Sequence, residues 1–288
     1  MAEPSEGPAD RFFTSGRLRL HYVVWGDEKK PSVVLVHGGR DHARSWDFVA
    51  QALLDRYCVY APDLRGHGDS DWAIGGAYML PNYVADLARL VEVIDRGPVH
   101  LVGHSLGGRI VLDYAATAPE RVRRVVSIEG FGRLGNSGVP GPERLRRYVK
   151  EMAEFPNYRP VVYRTLEAAM ARMQEANQRL SPRMVSHLTR HAVRPHEDGG
   201  YVWKFDNWVR MASPLEWSVE DAKAIWAGLK APTLIVGGTE SWWARMPIRD
   251  ELCAAIPNSR TVIFENAGHW VHHDQFEGFV ELIRDFLD

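Results

Sequence analysis

Cysteine is nearly absent: the 288-residue chain carries two, Cys58 and Cys253. Both sit in apolar surroundings that read as buried thiols, which excludes a disulfide framework. No run of about 18 apolar residues is available to span a bilayer. The opening stretch, MAEPSEGPAD, lacks a basic segment leading into an apolar one. It reads as a short flexible lead over residues 1–10 of a cytoplasmic protein, with no secretory signal. Neither charge sign is in excess, since 35 Lys+Arg against 37 Asp+Glu leave a net charge of −2. No global field therefore recruits nucleic acid or an anionic membrane. Internal repeats and low-complexity segments are missing too. The expectation is a monomer or homodimer whose partner is a small-molecule substrate.

What the chain does have is enough apolar residue to bury a large core, at 45% hydrophobic and 25% charged. It also has many tryptophans, with Trp203, Trp208, Trp217, Trp242 and Trp243 gathered in one quarter. Short β-branched runs at 18–25, 33–36, 58–60, 99–102, 124–128, 233–236 and 261–264 alternate with helical patterns, the signature of an α/β fold. Most are continuously apolar, as in central parallel strands covered on both faces. One helix presents Tyr83, Leu87, Leu90, Val91 and Ile94 on a single face. Another presents Phe276, Phe279, Val280, Ile283 and Phe286, with Asp274 as its expected cap. The alternation breaks between 133 and 215, where helical segments at 143–155, 160–179 and 182–191 appear, with only 201–204 strand-like. That stretch reads as an inserted helical cap on a core formed by 11–132 and 216–288. It enters at the carboxyl ends of the strands, where open α/β sheets bind ligands.

The chemistry gathers at the same edge. Gly103-His104-Ser105-Leu106-Gly107 is a full G-x-S-x-G between a strand and a helix, a turn so tight that only small residues fit beside an exposed serine. His37-Gly38-Gly39 follows an earlier strand. The N–H groups of Gly39 and Leu106 are candidates for holding an oxyanion. His269, in the loop after the last strand, is the candidate base; His272 and His273 read as loop and cap packing. His-x-x-His-His spacing has no accompanying carboxylate or cysteine pattern, so no metal is expected. Gly130-Phe131-Gly132-Arg133-Leu134-Gly135 spells a dinucleotide fingerprint, but residues 136–142 supply no helix after it and the match is set aside. Glu129 ends the apolar run 125–128. A carboxylate at the tip of a buried strand needs a partner: a cation such as Arg40 or Arg109, or a catalytic histidine.

HGG at 37–39, DLRGHGDSD at 63–71, GHSLGG at 103–108 and AGHW at 267–270 together resemble the α/β-hydrolase superfamily, specifically its members with a helical cap. The resemblance implies a mostly parallel central sheet with helices on both faces, a cofactor-free mechanism and a Ser–His–acid triad. Most relatives place the acid after the strand at 233–236, where this chain reads GGTESWWARM and offers Glu240. A minority, including some haloalkane dehalogenases and lactonases, use a glutamate after the preceding strand, which matches Glu129; both remain candidates. Arg40, His104, Phe131, Trp203, Trp208, Trp242 and Trp243 are the candidate pocket residues. The expected reaction is hydrolysis of a small, fairly apolar carboxylic ester, lactone or thioester through an acyl-enzyme on Ser105. C–C hydrolysis of ring-cleavage diketones and a non-catalytic ligand sensor are the alternatives. Dehalogenase and epoxide hydrolase chemistry needs an aspartate where Ser105 stands.

Overall fold

Continuous apolar runs of β-branched residues can bury both faces only inside a sheet flanked by helices, and that is where they lie. The computed structural model describes residues 7–132, 134, 139–211, 213–215 and 217–288. Its large sheet contains β1 (Ala9–Ser15), β2 (Leu18–Trp25), β3 (Ser32–Val36), β4 (Cys58–Pro62), β5 (Val99–His104), β6 (Val122–Ile128), β9 (Thr233–Gly238) and β10 (Ser259–Phe264), in the order β1-β2-β4-β3-β5-β6-β9-β10. Only β2 runs against the others. A separate hairpin pairs β7 (Val193–Pro195) with β8 (Tyr201–Trp203).

The helices are α1 (Asp47–Gln51), α2 (Leu80–Ile94), α3 (Leu106–Thr117), α4 (Gly141–Glu154), α5 (Leu166–Ala176), α6 (Pro182–Ala192), α7 (Val219–Trp226), α8 (Arg249–Ala254), α9 (Val271–Asp274) and α10 (Phe276–Leu287). One apolar layer packs α2, α3 and Trp226 of α7 on one face of the sheet. The other packs Trp46, Leu53 and the Phe279–Ile283–Phe286 stripe of α10 on the opposite face. None of the described helices is long and apolar enough to cross a membrane.

Three details differ from the sequence expectations. β1 begins at Ala9, so residues 9 and 10 pair with β2 and are not part of a flexible lead. Its pattern hid it, because only Phe13 and Ser15 of the strand are buried. Asp274 does not cap the last helix; α9 ends there, Gln275 intervenes, and the Asp274 carboxylate accepts the Gly268 N–H at 2.8 Å. β7 is short and carries Arg194 and Pro195, which concealed it as well. Residues 1–6 of the expected lead, and Arg133 and Gly135 of the glycine run, including the expected start of the cap, lie outside the described residues.

Between β6 and β9 the chain leaves the large sheet and covers its carboxyl edge with α4, α5, α6 and the hairpin. Polar contacts join this layer to the core. His42 Nε2 donates to Leu188 O at 3.0 Å, Lys204 Nζ pairs with Asp69 at 2.8 Å, and Tyr78 donates its hydroxyl to Asp206 at 2.5 Å. His187 of α6 adds to this seam, with its Nε2 3.1 Å from Arg44 O and 3.3 Å from Asp47.

Candidate active site

The ends of β3, β5 and β6 each turn through an unusual backbone conformation. Arg40, Ser105 and Glu129 have φ of 65°, 53° and 50°, in the left-handed region that side chains with a Cβ avoid. Among the described residues the other non-glycine positions of this kind are Asp95, Asn258 and Asn266, residue types that tolerate the conformation. Strain that persists at three neighbouring strand ends is characteristic of a functional edge.

Ser105 sits between β5 and α3. Its N–H is held by Ile128 O at 2.8 Å and its carbonyl accepts from Arg109 at 3.1 Å. The flanking glycines are required. A Cβ on Gly107 would drive into the carbonyls of Val36 and His37, and one on Gly103 into the backbone of Gly107 and Gly108. The N–H groups of Gly39 and Leu106 donate to no group among the described residues. The turn after β3 is fixed from beneath by His37. Its Nδ1 donates to Gly38 O at 2.7 Å and its Nε2 accepts the Leu64 N–H at 3.0 Å. This neutral tautomer agrees with burial, which lowers the His37 pKa to about 4.

Asp63, His67 and Asp69 support that turn from the next loop. The buried Asp63 carboxylate accepts from His21 Nδ1 at 2.7 Å, Ala43 N at 2.7 Å and Asp69 N at 2.9 Å. Burial alone would raise its pKa, but these donors hold it below the ordinary range.

Glu129 is fully buried. Its Oε1 accepts the Gly238 N–H at 3.0 Å, and its Oε2 lies 2.5 Å from His269 Nδ1. An ionised carboxylate only accepts, so Nδ1 carries the proton, and in the neutral imidazole Nε2 keeps its lone pair. His104 anchors the same loop, with Nε2 donating to His269 O at 2.8 Å; burial holds its pKa well below the ordinary value. Glu240 is elsewhere. It is exposed, pairs with Arg179, and makes no contact with His269. Arg109, a conceivable partner for Glu129, is taken by Asp113 at 2.8 Å.

A cavity of about 520 Å³ opens above this edge, a volume suited to a small ligand. Ser105, His269, Gly39, Leu106, Arg40, His104 and Trp203 line it. Four candidate pocket residues do not. Phe131 and Trp243 are fully buried against each other and Trp226, because both point into the core behind β9. Trp208 packs on Phe155 and over Gly76. Trp242 lies outside the cavity with its Nε1 3.2 Å from His269 Nδ1, a nitrogen whose proton Glu129 already accepts. The sequence reading missed Tyr158, Tyr163, Arg172, Arg210 and Trp270. The first four come from the covering layer, where no motif ties them to the core, whereas Trp270 directly follows His269 and was within reach.

The profile of the alpha/beta hydrolase fold family matches residues 31–276. The chain belongs to that family. This hydrolase is 26% identical over 278 residues to a serine hydrolase-like protein of Danio rerio, covering 93% of this chain and 85% of that protein. It is 29% identical over 281 residues to the esterase Rv0045c of Mycobacterium tuberculosis, covering 92% and 85%. Among solved structures, the thioesterase domain from the curacin biosynthetic pathway superposes with a TM-score of 0.87 at 21% identity, over 97% of this hydrolase and 100% of that domain. The last likeness is one of fold alone.

Proposed function

We propose that this hydrolase cleaves a small, fairly apolar carboxylic ester, lactone or thioester through an acyl-enzyme on Ser105. The observation that carries the reading is the Glu129–His269 contact of 2.5 Å beside the cavity that Ser105 lines. His269 Nε2 takes the Ser105 proton as Oγ attacks the carbonyl carbon. Glu129 keeps the imidazole in the required tautomer and stabilises the imidazolium. The negative charge on the carbonyl oxygen is accepted by the Gly39 and Leu106 N–H groups. The leaving alkoxide or thiolate then takes the proton from Nε2, and water, deprotonated by the same nitrogen, releases the acid. The covering layer excludes bulk water while the acyl-enzyme lives. The names of two relatives, a serine hydrolase-like protein and an esterase, support the same reaction class. The reading extends to a cofactor-free enzyme that works in the cytoplasm on a small molecule, as a monomer or homodimer.

The test is turnover of p-nitrophenyl butyrate beside labelling with a fluorophosphonate. Wild type should turn over and label; Ser105→Ala should do neither. Folded wild-type protein that neither labels nor exceeds the Ser105→Ala rate removes the acyl-enzyme reading and leaves the ligand sensor. Labelling without ester turnover directs attention to C–C cleavage.

A further inference from the structure

We propose that Arg40, Arg172 and Arg210 form an anion-recognition rim, so that the favoured substrate carries a negatively charged group such as a carboxylate in addition to its reacting carbonyl. This rests on the hydrolase reading of the same cavity and replaces its fairly apolar substrate with an anionic one. All three guanidinium-bearing residues line the cavity with Ser105 and His269. They come from separate parts of the chain: the turn after β3, helix α5, and the segment following β8.

The arginines lack the partners that ordinarily account for such charges. Among the described residues Arg40 makes no hydrogen bond or ion pair and Arg210 makes no ion pair; Arg210 stacks over Phe205 at 5.2 Å. Arg172 reaches, among the described residues, only the exposed Glu175 of its own helix, at 3.3 Å, a contact of small worth in water. The single carboxyl lining the cavity among the described residues is Asp41, which pairs with none of the three. It accepts its own neighbour's N–H, from His42, at 2.9 Å, and burial raises its pKa to about 7. Partial burial together with nearby Arg210 and Arg172 lowers the pKa of Arg40, so the three are close enough to repel. Like charges brought together without a counter-charge cost stability, and an anion placed among them converts that repulsion into attraction.

Backbone geometry points the same way. Arg40 is a strained residue at the active edge, next to Gly39, which lines the same cavity and whose N–H donates to no group among the described residues. Glycine or asparagine would hold the turn more cheaply, so the strain at this edge is carried by a side chain with a charge. Arginine also binds carboxylates bidentately.

Two matched pairs of esters test the rim. Mono-p-nitrophenyl glutarate against p-nitrophenyl valerate places the charge on the acyl part; 4-carboxyphenyl butyrate against phenyl butyrate places it on the leaving group. In wild type the charged member of one pair should show the higher kcat/KM, and the pair that responds tells which part of the substrate carries the charge. Arg40→Gln should lower that charged-to-neutral ratio about tenfold, the loss of one charge-assisted hydrogen bond. Arg40→Lys should restore part of it, and added salt should erode it. A folding defect lowers both members together and leaves the ratio alone. Ratios unchanged in Arg40→Gln, Arg172→Gln and Arg210→Gln overturn the rim while leaving ester hydrolysis intact. Calorimetric binding of glutarate to Ser105→Ala, lost when Arg40→Gln is added, supports the rim even where wild type hydrolyses no ester. Where no ester is hydrolysed, glutarate binding that is absent, or that persists in Arg40→Gln, overturns it.

Discussion

At the scale of the residue, the histidine's carboxylate partner is the most informative feature. Glu129→Gln keeps size and the Gly238 N–H contact but removes the charge facing His269. The expected loss in kcat is about three orders of magnitude, with the fold retained. Glu240→Gln, which breaks an exposed ion pair with Arg179, is expected to change kcat by less than about threefold. Steady-state kinetics on p-nitrophenyl butyrate reads both, and the reverse pattern would return the acid to the later loop. Ser105 supplies a second prediction. Its φ of 53° costs about 1 kcal/mol or more, and glycine adopts that conformation freely. Ser105→Gly is therefore expected to abolish turnover and raise Tm by about 2 °C, a trade measurable by calorimetry.

Elements explain why part of the site was legible in sequence and part was not. Ser105 was readable because strand, tight turn and helix follow one another locally, and each constraint leaves its own mark in GHSLGG. Glu129 was readable because a carboxylate closing the run 125–128 demands a partner. The cavity walls left no such mark. Tyr158, Arg172 and Arg210 reach the site only through the packing of the covering layer, and local periodicity does not encode which of its faces looks inward. Phe131 and Trp243 misled for the same reason: being near the site in sequence did not fix the direction in which they point. The turn into α3 yields a prediction whose sign is diagnostic. Alanine ordinarily stabilises a helix relative to glycine. At Gly107 the added methyl would collide with the carbonyls of Val36 and His37, backbone atoms of a central strand and its extension. Gly107→Ala is expected to cost about 2–4 kcal/mol in urea unfolding; a gain would mean that the strand can yield.

For the whole molecule, the relevant quantity is the number of neutral histidines folded into it. Burial lowers the pKa of His37 and His191 to about 4, and of His42, His67 and His273 to about 3, from an ordinary 6.5. The unfolded chain binds these protons below pH 6.5 while the native state refuses them, so stability falls as pH drops from about 6.5 toward 4. His21 acts oppositely. Burial lowers its pKa, but the Asp63 carboxylate outweighs that and raises it, so its contribution is present below pH 6.5 and fades as pH rises through the raised value. His100, His104 and His272 are lowered in the same way, so eight histidines stand against His21 and the raised carboxyls of Asp41, Asp113 and Asp274. The expected result is acid lability beginning near pH 6, seen as a falling Tm across a pH series. A Tm that stays flat between pH 7 and 4.5 would contradict the burial of these side chains. The glutamate on β6 also has a consequence for descent. Because that strand supplies the carboxylate facing His269, the loop after β9 owes it none, and here that loop ties down the covering layer through Glu240 and Arg179. Variation there acts on how the covering layer is held and on Trp242 beside His269, while the carboxylate on β6 stays in place. A lineage built this way can drift toward new substrates along one edge while its chemistry stays inherited intact.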